Sequence, residues 1–445
     1  MRQPRPDRSP ASSTPAAGFD RRALLRRSLI GGIGVSVFGR TTAIAASGSG
    51  GLIDGFGPLL APDQNGLQLP AGFSSRVIAT SGQAVPGTSF VWPADPDGGA
   101  TFLTPDGGWV YVCNSERSSG LGGVSAIRFD VAGNVTQAYS ILTGTTRNCA
   151  GGPTPWGTWL SCEETTNGEV YECSPLSPGS QGIKRPWMGK FQHEAAAVDP
   201  IRRVILLTED RSDGLLYRFR PSNYPDLSSG TLEAAQILGS GSIALGQVRS
   251  VTWLPVPDPT VSGGTATRFQ VPAATRFNGG EGAWYQDDVV HFTTKGDNRV
   301  WKYDSAADTI EIIYQANLSP TPQLTGVDNV FVTPAGEVLV AEDGGNMEIV
   351  ALTPSGAVKP VIRLPGVSGS EITGPALSPD GQRLYFNSQR NPGRTYEVRG
   401  PWTAFSAGAP VPAFGSLAGA VTAAALVGAS ALLARREDLG GASAR

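Results

Sequence analysis

Acids and amides recur in this chain just after a repeated apolar strand. That many of them in one register points to polyvalent cations. The recurring phrase is a small turn, a short apolar strand, then the polar cluster. It reads TPDGGWVYVCNSE (104–116), TPWGTWLSCEE (154–164), DPIRRVILLTED (199–210), QDDVVHFTTKGDN (286–298), TPAGEVLVAEDGG (333–345) and SPDGQRLYFNSQ (378–389). If equivalent strands end in one place, Asn114, Glu116, Glu163, Glu164, Glu209, Asp210, Glu342 and Asp343 gather there. Carboxylates at such short range repel one another strongly unless cations lie between them. Any single copy also reads as a solvated hairpin turn, where Asp and Asn are common. Recurrence in one register favours the metal site. His193 and His291 are the only histidines, which argues against a His-rich zinc or copper centre. Hard cations held by oxygen ligands fit better.

The elements that must position these residues follow from the repeat. Copies start at 104, 154, 199, 286, 333 and 378, giving spacings of 50, 45, 87, 47 and 45. Most are followed by a second strand such as GGVSAIRFD or NRVWKYD. Self-similarity at this period signals a propeller or solenoid. The expected fold is all-β, and in a propeller the polar clusters would lie near one end of the ring. The long third interval reads as an insertion around Asn223–Gln270.

Composition agrees with that reading. The chain has 445 residues with 58 Gly and 35 Pro, and only 16% are charged. Short strands and tight turns suit such a mixture. A net charge of −3 leaves no basic footprint, so nucleic acid is not an expected partner.

The two ends read differently from the middle. Residues 1–46 carry Arg21-Arg22, an apolar stretch Ser28–Phe38 and an Ala43-Ile44-Ala45 cleavage pattern. They read as a twin-arginine (Tat) signal peptide. The propeller domain is expected over 47–405 and a linker over 406–412. Residues 413–434 are uncharged, followed by Arg435 and Arg436. That length spans a bilayer, and the positive-inside rule places 435–445 in the cytoplasm. A membrane-bound protein facing outward is the expectation, with no oligomeric state specified. The span is rich in Ala and Gly, so a buried helix is the competing reading.

Of the four cysteines, Cys162 and Cys173 fall on two strands of one hairpin and could form a disulfide. Cys113 reads as core. Cys149, in TTRNCAGGPTPWG, follows a loop where a thiolate could approach a metal; beside carboxylates it suits iron. No G-x-S-x-G elbow and no G-x-x-x-x-G-K-[ST] loop occurs, so neither that nucleophile nor nucleotide-driven chemistry is expected.

From about Gly57 to Trp402, the segments NCAGGPTPWGTWLSCEE, MGKFQHEAAAVDP, LLTEDRSDGLLYRF, GGEGAWY, TTKGDNRVWKYD, LTGVDNVFVTPAGEVLVAEDGG and SEITGPALSPDGQRLYFNSQ resemble the PhoX-type alkaline phosphatase family. The resemblance implies an all-β, six-bladed β-propeller exported by Tat, with an iron–calcium metal site at the channel mouth acting on a small phosphoester. It implies that Cys149 ligates iron and that Glu164, Glu194 and Glu281 are cluster carboxylates. Asp328 and Glu342 or Asp343 are implied on the calcium side, with Glu371 a further candidate. Asn114 is implied to face substrate and to share the catalytic role with Glu281. His193 is implied as a core or supporting group. Two departures stand out. Gly279 replaces an Arg of the family's phosphate clamp, and Asn114-Ser115-Glu116 lacks the His of an NHE motif. Arg147, Arg276 or Lys295 are the nearby cations that could substitute. A phosphoester hydrolase is therefore the leading expectation. A calcium-rigidified binding or scaffold module and a calcium-dependent lactonase or esterase are the alternatives.

Overall fold

A computed structural model describes residues 51–403 of the chain. The segments read as Tat signal, linker, membrane span and tail all lie outside the described residues. Among the described residues, no helix is long and apolar enough to cross a membrane.

The structure is all-β and propeller-like. Strand β1 (Ser74–Thr80) comes first. Strands β2 (Pro96–Leu103), β3 (Trp109–Ser115), β4 (Gly122–Phe129) and β5 (Val135–Thr145) form one meander. Strands β6 (Asn148–Pro153), β7 (Trp159–Glu163), β8 (Val170–Cys173) and β9 (Ile183–Lys184) form the next. Then come β10 (His193–Asp199), β11 (Val204–Glu209), β12 (Leu216–Asn223), β13 (Asp226–Ile237) and β14 (Arg249–Pro255). They are followed by β15 (Gly280–Gln286), β16 (Val289–Thr294), β17 (Arg299–Asp304) and β18 (Thr309–Gln315). The last strands are β19 (Val327–Val332), β20 (Val338–Glu342), β21 (Glu348–Leu352), β22 (Val358–Arg363), β23 (Ile372–Leu377), β24 (Arg383–Ser388) and β25 (Arg394–Arg399).

These strands make five sheets. Four have four strands, and one has nine, in the order β10-β11-β12-β13-β14-β18-β17-β16-β15. The span read as an insertion is thus partly regular sheet. β13 completes the meander of β10–β12, and β14 bridges it to β18. The inner strands contact one another in cyclic order, β2–β6–β10–β15–β19–β23 and back to β2. The N-terminal β1 pairs with β25 and completes the sheet of β23 and β24. Joining the two ends of the described chain in one sheet closes the ring and leaves only short edges.

Burial falls outward along each sheet. β19, β20 and β21 are buried at every position, whereas the outer β22 and β5 are largely half-exposed. Second strands such as β3 and β11 are buried on both faces, so they read as largely continuous apolar runs rather than alternating ones. The recurring T-P-x-G phrase is the turn between first and second strand. Gly107 at φ +83° and Gly157 at φ +85° close two such turns, a conformation that suits glycine. Near the end of the described chain, buried Trp402 packs edge-on against Phe73 at 4.9 Å and Phe56 at 5.9 Å. Each such aromatic contact adds about 0.5–1.5 kcal/mol beyond the area it buries.

Candidate metal centre

The site is built by one backbone irregularity repeated around the ring. In five inner strands, three residues advance against two on the neighbouring strand. The register runs Pro96↔Ser115 then Gly99↔Cys113, and Asn148↔Glu163 then Gly151↔Ser161. It recurs as His193↔Glu209 then Ala196↔Leu207, Gly280↔Thr294 then Ala283↔Phe292, and Val327↔Glu342 then Val330↔Val340. A bulge of this kind re-aims a side chain that regular pleating would place elsewhere. The first bulge residues are Asp97, Cys149, Glu194, Glu281 and Asp328. Gly or Ala follows the first four of them and Asn329 follows Asp328, and these residues line a narrow central cavity of about 30 Å³. A Cβ on Gly98 would sit 2.5 Å from Ala150 Cα, so the inner strands meet too closely there for a larger residue.

The sixth inner strand differs. Its bulge, between Thr373↔Asn387 and Ala376↔Tyr385, begins at Gly374. A Cβ there would lie 2.6 Å from Asp97 O, so no ligand can be mounted at that position. The acid comes instead from Glu371, just before the strand.

A second tier comes from the residue just beyond the end of the second strand: Glu116, Glu164, Asp210, Lys295 and Asp343. Apart from Asp210 and Lys295, the two tiers and Glu371 form overlapping donor groups. These are Asp97–Glu116–Cys149, Cys149–Glu164–Glu194, Glu194–Glu281–Asp328 and Asp328–Asp343–Glu371, with ligand atoms in each group within 4.8 Å of one another. Eight carboxylates and one thiol therefore share a continuous site.

Three cations stand against them. Arg147 pairs with Glu116 at 2.7 Å and also with Glu164. Arg390 reaches Glu371 at 2.8 Å and Glu116 at 3.3 Å. Lys295 Nζ lies 2.9 Å from Glu281 Oε1, 3.1 Å from Asp343 Oδ2 and 3.8 Å from Asp328 Oδ2. Burial and the surrounding acids push the carboxyls up: Glu164 and Glu371 to about 8, Asp328 to about 6. Asp97, Glu194 and Glu281 are raised well above the carboxylate range, first by burial and then by their acidic neighbours. The Cys149 thiol is raised for the same reasons.

Of the residues singled out from sequence, the structure brings together Glu116, Cys149, Glu164, Glu194, Glu281, Asp328, Asp343 and Glu371. Glu342 is not among them. Its carboxylate accepts the Thr325 amide at 2.8 Å and the Glu348 amide at 3.1 Å. Strand geometry explains this, because consecutive residues face opposite ways. In each acidic pair the first member serves the backbone six residues on: Glu163 accepts from Glu169 N, Glu209 from Leu215 N and Glu342 from Glu348 N. The second members, Glu164 and Asp343, join the donor groups.

Asn114 is a brace rather than a group facing substrate. Its Nδ2 donates to the Cys149 and Ala150 carbonyls at 3.0 and 2.7 Å. Its Oδ1 accepts from Trp159 Nε1 at 2.9 Å and Ser161 Oγ at 3.0 Å. All four of its hydrogen-bonding positions are used, and they hold the Cys149 bulge in place. His193 stacks on Phe191 at 3.6 Å and is a core group. Arg276 donates to the Asp213 and Arg268 carbonyls, not to the acids. Cys162 and Cys173 are free thiols. Cys162 faces Val170 while Cys173 faces Trp159, so they sit at different levels of the hairpin and in different apolar clusters.

Sequence reasoning missed Asp97 and Arg390. The signal for Asp97 was an acid or thiol followed by two small residues: Asp97-Gly98-Gly99, Cys149-Ala150-Gly151, Glu194-Ala195-Ala196 and Glu281-Gly282-Ala283.

The donor set fits metal cations. Glu194 Oε1 is buried with no hydrogen-bond partner, and Glu281 Oε1 faces only the Lys295 ammonium. Eight acids against three side-chain cations leave an excess of negative charge that burial would otherwise force into the protonated form. Oxygen donors suit hard cations, and the one sulfur suits a softer metal.

No curated protein matches the chain in sequence. Among solved structures, that of Pseudomonas fluorescens PhoX in complex with vanadate, a transition state analogue, matches with a TM-score of 0.62 at 18% identity, covering 77% of this chain and 97% of that one. A protein of unknown function from Bacteroides thetaiotaomicron (TM-score 0.46, 12% identity, 77% of this chain and 84% of that one) and a Xanthomonas campestris gluconolactonase (0.40, 12%, 77% and 98%) are more distant. The family model for alkaline phosphatase PhoX matches residues 98–171, 166–317 and 300–393. The chain belongs to the PhoX alkaline phosphatase family.

Proposed function

We propose that the chain is an exported, metal-dependent hydrolase of small phosphate monoesters. The observation that carries this reading is the run of four overlapping acid and thiol groups at the end of the inner strands, with Glu194 Oε1 lacking any partner. Family membership and the relative's capture of vanadate support the phosphoester class.

In this reading Cys149, Glu164 and Glu194 hold iron, where a thiolate is at home, and Asp328, Asp343 and Glu371 hold calcium. Bound cations would supply Lewis-acid polarisation of the phosphoryl oxygens. The protein's own residues do the rest. Asn114 fixes the Cys149 bulge. The small residues after the Asp97, Cys149, Glu194 and Glu281 bulges, with Asn329, close the floor and limit water. Arg147 and Arg390, 40% and 42% exposed, rim the acids and offer forked donors to an arriving phosphate. They take the part that an Arg at position 279 would otherwise play. The nine-stranded sheet is read as two blades bridged by β14, which gives a ring of six.

Hydrolysis of an aryl phosphate monoester by the metal-loaded protein, abolished by chelation and restored by calcium and iron, tests this reading. A fully metal-loaded protein that turns over no phosphoester would instead favour a binding module.

A further inference from the structure

We infer that Lys295 is a built-in cation of the centre. It stands in for one divalent ion, so this chain takes one divalent fewer than a ring of acids in the same register would. The inference rests on the metal-centre reading of the site.

Register carries the first half of the argument. Lys295 follows Thr294, the strand partner of Gly280 just before the Glu281 bulge. In the other four strand pairs with the bulge in this register the corresponding residues are Glu116, Glu164, Asp210 and Asp343, while the sixth pair, whose bulge begins one pair later, has Gln389 after its second strand. Four strand pairs mount an acid there, and the β15–β16 pair mounts an ammonium. Replacing a carboxylate by an ammonium changes the local charge by two units, which equals the charge of one divalent ion.

Geometry carries the second half. The ammonium approaches carboxylates from three different segments, Glu281 at 2.9 Å, Asp343 at 3.1 Å and Asp328 at 3.8 Å. Asp328 belongs to both the Glu194–Glu281–Asp328 and the Asp328–Asp343–Glu371 groups, so Lys295 sits where two donor groups meet. An ammonium has three protons to donate, and three carboxylates surround it. The backbone holds it there: Lys295 N donates to Gly279 O at 2.8 Å, and Gly296 N to Asn278 O at 3.0 Å. The ammonium has three N–H donors and three carboxylates around it, whereas the Arg147 and Arg390 guanidiniums each have five donors and only two carboxylate partners. Lys295 is therefore assigned to charge balance within the centre rather than to substrate.

Calcium alone is the probe. Wild type, Lys295→Glu and Lys295→Met are stripped with chelator, dialysed against calcium, and compared for calcium per chain and thermal midpoint. Lys295→Glu should bind one more calcium than wild type. In chelator both variants should melt below wild type, and calcium should close that gap for Lys295→Glu more than for Lys295→Met. If Lys295→Glu folds only with calcium while wild type folds without it, the inference also holds. Equal calcium content in wild type and Lys295→Glu overturns it, as does a Lys295→Glu chain that calcium cannot fold. Equal calcium content with a raised KM in Lys295→Met overturns it too, and makes the ammonium a phosphate contact. The extra calcium in a protein that hydrolyses no phosphoester would sink the phosphatase reading and leave this inference standing.

Discussion

Cys149 Sγ lies 3.7 Å from Asp97 Oδ2, across two neighbouring inner strands that carry the same bulge. A buried thiol beside acids is held protonated by burial and by their charge. A metal ion reverses that balance, because a coordinating thiol loses its proton.

The first prediction concerns that thiol. Protein purified with iron should show a visible absorption band from thiolate-to-iron charge transfer, and Cys149→Ser should lose it along with much of the iron. An unchanged spectrum and iron content in Cys149→Ser would remove Cys149 from the ligand set.

Metal removal should expose the repulsion among the acids as a pH effect. Without metal, Glu164 and Glu371 are raised to about 8 and Asp328 to about 6. Carboxyls raised on folding bind more protons in the native state than in the unfolded one, so stability falls as pH rises. The loss should run from about pH 4 to about pH 8, between the unfolded and folded values. Chelated protein should therefore melt higher at pH 5 than at pH 8, and calcium should raise the pH 8 midpoint by mass action. A chelated midpoint that is flat or rises over that range would contradict the carboxyl assignments.

The hairpins were legible because their turn is written in the chain: T-P-x-G sets the reversal and an apolar run sets the second strand. The acids at the ends of those strands were legible too, but not which of each pair faces the centre. That choice depends on strand alternation at a boundary, which separates Glu342 from Asp343. The inner strands were harder. The signature of Asp97 is three residues long, and it gains meaning only from the bulge register it shares with Cys149 and Glu194. The merging of two meanders through β14 depends on pairing between Arg249 and Ile310, distant in sequence and without any local signal. The role of Asn114 was misplaced because its type fits substrate contact as well as bracing; only its four partners decide.

Gly279 stands where the family's phosphate clamp has an Arg, so Gly279→Arg is the substitution that would restore it if the backbone tolerates a side chain. Gly279 has φ +71°, and a Cβ there would meet Asp210 Oδ1 at 3.2 Å and Gly296 N at 3.3 Å. The left-handed conformation costs a non-glycine residue about 1–2 kcal/mol. Gly279→Arg and Gly279→Ala should both lose about that much stability in denaturant titrations, with no gain in turnover. Raised phosphatase activity at an unchanged midpoint would show that the loop accommodates the side chain after all.

Export is tested outside the described residues. Changing Arg21 and Arg22 to Lys should leave full-length precursor in the cytoplasm. Truncation after Phe405 keeps every described strand and the buried Trp402, so it should yield a folded domain released from membranes. Normal export of the first variant, or a membrane-bound truncation product, would count against the signal or the anchor respectively.

The two carboxylates Glu281 and Glu342 separate chemistry from scaffolding. Both are buried, but Glu281 faces the donor groups while Glu342 accepts two backbone amides. Replacing each by Gln keeps the shape and removes the charge. Glu281→Gln should lower kcat/KM on an aryl phosphate monoester by about 100-fold or more, the scale on which loss of one group stabilising the transition state is felt. Its thermal midpoint in chelator should rise or hold, since one of the repelling acids is gone. Glu342→Gln should do the opposite. A Gln oxygen can accept only one of the two amides while its NH2 opposes the other, which costs about 1–3 kcal/mol. Its turnover per folded molecule should stay near that of wild type. The sign of each pair of effects follows from which way the side chain faces. Equal losses of activity in the two variants would mean that Glu342 reaches the centre and that strand alternation does not divide the acidic pairs.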